Sequence, residues 1–276
     1  MRLTVVHETS YRHDRPVVQS TQVLRLAPPD LPGQQVVAWR LRGPEALRDL
    51  GLDGFGNRMH LLAVSGEHQQ VDVQAFGTVD TEAMPVRAGD GLSPLLFLAA
   101  TELTEAGDGL HDFSLRFAGR TLTPARLRDL SAAVHEQFTR PSPAGMRVAS
   151  VAECWESGQG GSAEQSQVLL AACRLLGMPA RLVSGYVFRE ETAGLRVSTH
   201  AWAEVWLADE WHSADVALQC QAGARHIRLA LGRDYLDACP LRCIGQGRLH
   251  AGAMIPVAGR GEEPLAHVMA SQQQQQ

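Results

Sequence analysis

The stretch from Gly160 to Val216 constrains the fold more than any other part of this chain. It opens on the glycines Gly160-Gly161, runs into an apolar segment from Ala163 to Leu176, and closes at Gly177-Met178-Pro179. Glycine tolerates the left-handed conformation that ends a helix and proline cannot extend one, so the spacing predicts one long, buried helix. Three strand-like runs follow, Arg181 to Phe188, Val197 to Trp206 and Trp211 to Val216, with Ala208-Asp209-Glu210 as a short hairpin turn between the last two.

The N-terminal texture is different. From Leu3 to about Ala83 there are short strand-like runs such as Leu3-Thr4-Val5-Val6, Gln34 to Trp39 and Val71 to Phe76. Turn chemistry separates them at Pro28-Pro29-Asp30, Pro32-Gly33 and Asp53-Gly54-Phe55-Gly56-Asn57. That punctuation predicts an antiparallel, β-sandwich-like domain. From about Ser93 helical periods take over, with Leu95, Leu96, Leu98 and Ala99, then Leu127, Leu130, Ala133 and Val134. The expectation is an α+β chain with a β-rich domain over 1–95, a mixed domain over 96–271 and a disordered low-complexity tail over 272–276.

A net charge of −5 and a pI near 6.1 provide no basic field for phosphates, so nucleic acid is not an expected partner. No apolar run reaches the length of a membrane span, and Met1 to Glu8 turns polar too early for a signal-peptide core. The expected setting is cytoplasmic, away from membranes. Cys154, Cys173, Cys220, Cys239 and Cys243 are an odd number without framework spacing, which suits reduced thiols. No metal set or cofactor motif is evident. Every one of the 25 residues in the Lys+Arg count is arginine, so lysine-based chemistry is excluded.

Three elements carry potential chemistry: the glycine loop at the helix start, a strand bearing His200 and the next strand bearing Asp215. A helix N-terminus offers positive potential and free N–H groups, which lower a thiol pKa and stabilise an oxyanion. Histidine supplies a general base, and a carboxylate on the neighbouring strand fixes its tautomer. Strand alternation puts Arg196, Ser198, His200, Trp202, Glu204 and Trp206 on one face, so the two tryptophans are expected to wall a substrate groove.

His200-Ala201-Trp202-Ala203-Glu204-Val205-Trp206 resembles the histidine strand of bacterial transglutaminase-like proteins. Leu176 to Tyr186 is similar to the family's segment after the nucleophile helix, Trp211-His212-Ser213-Ala214-Asp215 to its aspartate strand, and His226 to Tyr235 to its usual run after the triad. His7 to Tyr11, Leu24-Arg25-Leu26 and Asp53 to Asn57 resemble the β-rich domain that precedes the catalytic one. The resemblance implies a papain-like catalytic domain and peptide or protein amides as the substrate class. It also implies a Cys-His-Asp triad.

At the nucleophile position, however, this chain has Ser162, within Gly160-Gly161-Ser162-Ala163-Glu164-Gln165-Ser166. The family's Asp-Phe-Ala is replaced by Glu164-Gln165-Ser166. A hydroxyl is a far weaker acid than a thiol, so a site built for a thiolate loses most activity on this change. Two readings of Ser162 stand side by side. In one it caps the helix in a capping box with Gln165 at N3, and the protein binds peptide or amide groups with little turnover, with a protein partner as a further expectation. In the other, Ser162, His200 and Asp215 hydrolyse or transfer amides. Cys154 is the alternative nucleophile, and Cys173 belongs to the core. Glu164 and Trp202 are candidate groove residues, and His226, Arg233, Asp234 and Tyr235 are candidate supports for the triad.

Overall fold

A computed structural model of the chain describes residues 1–83, 86–87, 91–119, 123–140, 149–191 and 194–244. The tail at 272–276 lies outside the described residues.

Two very long strands build the first sheet. Strand β1 (Arg2–Leu24) and strand β4 (Arg58–Thr81) pair antiparallel from Arg2 opposite Asp80 to Leu24 opposite His60. Alternation leaves Leu3 and Val5 of β1, and Val71, Val73, Ala75 and Val79 of β4, buried on one face. Strands β2 (Gln34–Arg42) and β3 (Arg48–Leu52) both pair with β4.

The second sheet runs in the order β5 (Val86–Arg87), β8 (Glu210–Ala214), β7 (Gly194–Leu207), β6 (Ala180–Glu191), β9 (His226–Gly232). The expected hairpin between β7 and β8 closes through a two-residue turn. Ala208 and Asp209 both adopt positive φ, 49° and 64°, as a primed turn requires.

Helices α1 (Asp108–Leu115), α2 (Pro124–His135), α3 (Val151–Ser157) and α4 (Ser162–Leu175) cover one face of this sheet. Helix α4 is the predicted long helix and lies centrally. Val168, Leu169 and Ala172 share a cluster with Ala201, Ala203 and Val205 of β7. At its end, Gly177 sits at φ 79°, Gly177 N–H donates to Arg174 O and Met178 N–H donates to Cys173 O, both at 2.9 Å. This is a Schellman closure, as the glycine predicted.

The α+β class and the N-terminal antiparallel region stand as expected, but the sandwich layers do not lie within the N-terminal segment. Strands β1 to β4 form one sheet, whose apolar face shares one cluster with Tyr186, Phe188, Val197, Ile227 and Leu229 of the second sheet. One-sided burial requires a facing layer and does not say which segment provides it. The chain also crosses between the sheets, since β5 joins the second, while β10 (Leu241–Ile244), following the short helix α5 (Tyr235–Ala238), pairs with β1.

Two buried amides join the sheets along β9. Gln34 Nε2 donates to Arg228 O at 3.0 Å and its Oε1 accepts from Arg228 N–H at 2.8 Å. Asn57 makes the same pair of bonds with Leu231, at 2.7 and 2.8 Å. Each amide therefore satisfies backbone groups that an edge strand would leave unpaired. The Asp53 to Asn57 turn explains how Asn57 is aimed. Asp53 Oδ1 accepts from the N–H groups of Phe55 and Asn57, and its Oδ2 accepts from Asn57 Nδ2 and Arg25 Nε.

Candidate functional site

The site forms where β8 leaves β7. Their last pair is Ala203 opposite Ala214, and beyond it the start of α4 occupies the strand's edge. Ala201 N–H donates to Ser162 Oγ at 3.2 Å, while Ser166 Oγ donates to Ala201 O at 3.3 Å. Two hydroxyls one helical turn apart thus replace a neighbouring strand and hold the helix start beside His200. Ser166 was not singled out from the sequence. Its signal was a polar side chain four residues beyond Ser162 in a run otherwise buried as core.

Ser162 does not cap its helix. The N-cap is Gly161, and Glu164 at N3 accepts from Gly161 N–H through Oε2 at 2.9 Å. Gln165, expected to complete a box with Ser162, instead has Oε1 3.1 Å from His135 Nδ1 and donates through Nε2 to Gly160 O at 3.2 Å. Gly161 has no side chain to complete a capping box, so only the Glu164 half forms, while the Ser162 hydroxyl is engaged by β7. Among the described residues no hydrogen bond joins Ser162 to His200.

His200 is positioned on β7 opposite Gly185 of β6. A Cβ at Gly185 would lie 1.9 Å from Ile227 O, so only glycine lets β6 pass between β7 and β9 here. His200 Nε2 is 2.6 Å from Asp215 Oδ2, and the two side chains are 1% and 0% exposed.

Asp215 stands just past the end of β8 and not within a strand as expected. Its backbone exchanges hydrogen bonds with Cys220, closing a loop in which Gln219 takes a positive φ of 53°. Inside that loop Leu218 N–H donates to Asp215 Oδ1 at 3.0 Å. His226 Nε2 lies 3.0 Å from the same Oδ2 that His200 engages. Burial acts to raise the Asp215 pKa, but the hydrogen bonds from His200 and His226, the charge of His200 and the Leu218 N–H outweigh it. The carboxyl is held at about 2 and is ionised at neutral pH.

The tautomers follow from these partners. His226 Nδ1 accepts from Gly223 N–H at 3.2 Å, so its proton is on Nε2 and points at Asp215. An ionised carboxylate only accepts, so His200 also donates from Nε2. Its Nδ1 is then the nitrogen free to take a proton, so the base and carboxylate-facing nitrogens are exchanged relative to the Ser-His-Asp template, where Nδ1–H meets the aspartate and Nε2 is the base.

His200, Asp215 and His226 place three possible metal ligands within 4.8 Å of one another. The donor set suits hydrogen bonds better than a cation. A neutral imidazole that binds metal through Nε2 carries its proton on Nδ1, and His226 Nδ1 faces the Gly223 N–H donor.

Alternation along β7 is as predicted, yet the two tryptophans do not wall a groove at His200. Trp202 is 2% exposed, sits in a cluster with Phe97, Val183, Trp211 and Leu231, and meets the His226 ring edge to face at 5.2 Å. Trp206 is six residues along the strand, about 20 Å away at strand rise. It lines a separate cleft of about 480 Å³ with Leu175, Leu176, Met178 and Leu115.

The run Arg233-Asp234-Tyr235 caps a helix rather than the triad. Asp234 Oδ1 accepts from Leu236 and Asp237 N–H to start α5, and Arg233 pairs with Asp237 at 2.8 Å. Tyr235 N–H donates to Gln167 Oε1 on α4, and the Glu164 charge helps raise its phenol pKa, though burial is the larger cause. Cys154 is buried, chiefly for that reason pushed up to about 12, and so is an inert thiol. Cys173 lies in the core of α4, as expected.

Residues 3–80 match the bacterial transglutaminase-like N-terminal region, and residues 116–216 match the transglutaminase-like superfamily. An uncharacterized protein of Mycobacterium tuberculosis is 29% identical over 277 residues, spanning 88% of this chain and 87% of its own length. An uncharacterized protein of Mycobacterium leprae is 24% identical over 274 residues, spanning 90% and 94%. Among solved structures, a candidate cysteine protease from Cytophaga hutchinsonii superposes with a TM-score of 0.73 at 16% identity, over 95% of this chain and 92% of that one. At that identity the likeness is one of fold.

Proposed function

Starting from a chain that joins a bacterial transglutaminase-like N-terminal region to a transglutaminase-like core, we propose that it binds peptide or protein amide groups at the junction of Ser162 and His200 with little or no turnover. One observation carries the reading: the Ser162 hydroxyl accepts from Ala201 N–H, and no hydrogen bond couples it to His200. A nucleophilic serine must pass its proton to the histidine, and here its position serves helix docking instead. What remains is an acid-base pair, His200 with Asp215, beside a helix N-terminus suited to a carbonyl oxygen. A protein partner presenting such amides belongs to the same proposal. So does a reducing, cytoplasmic setting, for which the five free cysteines speak.

The second reading is an acyl transferase or amidase using Ser162. It is favoured by the His200 tautomer, which leaves Nδ1 free to act as a base. The test is a serine-directed fluorophosphonate probe on the wild-type protein, with Ser162→Ala as control. No labelling above that control is expected. Robust labelling that disappears in Ser162→Ala establishes the serine enzyme and overturns the binding reading.

A further inference from the structure

We propose that His226 is a positioning residue for His200, acting through the oxygen of Asp215 that the two imidazoles share. The proposal deepens the preceding reading and rests on it only in treating His200 as the base of the site.

A carboxylate held by one histidine alone can rotate about its own axis and exchange its oxygens. Asp215 is fixed at both: Leu218 N–H donates to Oδ1 at 3.0 Å, and His226 donates to Oδ2 at 3.0 Å. The plane of the group is thereby set, and a remaining lone pair of Oδ2 is aimed at His200, 2.6 Å away. A carboxylate oxygen can accept two donors, so the two bonds coexist.

His226 is fixed in turn. Gly223 N–H holds its Nδ1 at 3.2 Å, which prevents the ring from presenting a bare nitrogen to Asp215. Trp202 packs against the ring edge to face at 5.2 Å. The buried Trp202 is thus placed to steady the second histidine. A chain of orientation runs from Gly223 through His226 and Asp215 to His200, with backbone N–H groups anchoring it at Gly223 and Leu218. Such outer partners select the tautomer of the histidine they support.

The test is long-range proton–nitrogen correlation NMR of the full chain labelled with ¹⁵N-histidine, comparing wild type, His226→Gln and His226→Phe. In the wild type, His226 is expected as the Nε2–H tautomer with a bare Nδ1, and His200 as the Nε2–H tautomer with a slowly exchanging proton. His226→Gln keeps an N–H donor to Asp215 and should preserve the His200 signature. His226→Phe removes the donor, and His200 should then show mixed tautomers and faster proton exchange while near-ultraviolet circular dichroism stays native.

A wild-type His226 protonated on Nδ1 overturns the proposal. So does a folded His226→Phe protein whose His200 signature is unchanged. If His226→Phe does not fold, His226→Gln decides, since loss of the His200 signature there contradicts the role of the donated hydrogen bond. None of these readouts involves turnover, so serine-probe labelling of the wild type would revise the preceding reading and leave this result standing.

Discussion

His200 Nε2 lies 2.6 Å from Asp215 Oδ2, with both side chains withdrawn from solvent. A buried carboxylate persists only where donors surround it, and Asp215 has three: His200, His226 and the Leu218 N–H. A histidine held by an ionised carboxylate is therefore in place beside the helix that begins at Ser162.

This pair makes stability pH-dependent in a defined window. The folded Asp215 carboxyl titrates at about 2 against an ordinary 3.8, so its contribution is complete above 3.8 and is lost as pH falls through about 2. The magnitude is about 2 kcal/mol. Urea unfolding of wild type and Asp215→Asn at several pH values should show this component only in the wild type. Parallel stability curves for the two proteins between pH 4 and 2 would count against the assigned charge state.

The Ser162 hydroxyl should act as a tertiary contact rather than a helix cap. Ser162→Ala leaves Ala201 N–H without its acceptor, a loss of about 1 kcal/mol in urea denaturation. Glu164→Ala, which removes the acceptor for Gly161 N–H, should cost a similar amount of about 1 kcal/mol, because this is the residue that caps α4. An unchanged midpoint for Glu164→Ala would return the cap to Ser162.

Much of this arrangement was legible in the sequence. The glycine loop, the apolar run to Leu176 and the closing Gly177 gave the long helix, and the alternation that set His200 and Trp202 on one face of β7 left Ala201, Ala203 and Val205 to pack on that helix. The N-cap was misplaced by one residue because Ser162 with Gln165 reads locally as a full capping box, whereas Gly161 with Glu164 makes only half of one and the contact of Ser162 with β7 decides between them. His226 was marked as a support for the site only through the family-like run from His226 to Tyr235, and the role of Trp202 was hidden for a related reason. Nothing local says that a loop closed by Asp215 and Cys220 brings a histidine eleven positions further on to the same carboxylate. Burial of one sheet face was predictable, whereas the identity of the layer opposite depends on the whole topology.

Asn57 should matter for stability although it is not part of the site. Asn57→Ala leaves the N–H and C=O of Leu231 unpaired at a buried edge, at a cost of about 2 to 4 kcal/mol for the two groups. Equilibrium unfolding should register this as a lower midpoint. A shift corresponding to less than about 0.5 kcal/mol, the range of ordinary surface substitutions, would mean that the amide does not carry the contact.

Gly185→Ala should disrupt the second sheet at the histidine itself. The added methyl would meet Ile227 O at 1.9 Å and Trp202 Cη2 at 3.1 Å, so β6 must move away from β9 and from beneath His200. The expected cost exceeds about 3 kcal/mol, well beyond typical overpacking, because the obstacle is backbone. Thermal unfolding of the variant measures it, and a melting curve matching the wild type would show that β9 yields easily.

The proposed retention of a thiol-activating environment around position 162 rests on the α4 N-terminus and the His200–Asp215 pair. Its most direct measurement is the rate of iodoacetamide alkylation of Ser162→Cys at about pH 6, where an ordinary thiol is almost wholly protonated. The reference is an unstructured cysteine peptide, because native Cys220, pushed up to about 11 mainly by burial of its sulfur with a further contribution from Asp215, is slower than an ordinary thiol. Alkylation at position 162 is expected to be at least about tenfold faster than that of the peptide, since the α4 N-terminus and His200 favour the thiolate. Alkylation at position 162 no faster than that of the peptide would contradict the retained thiol environment.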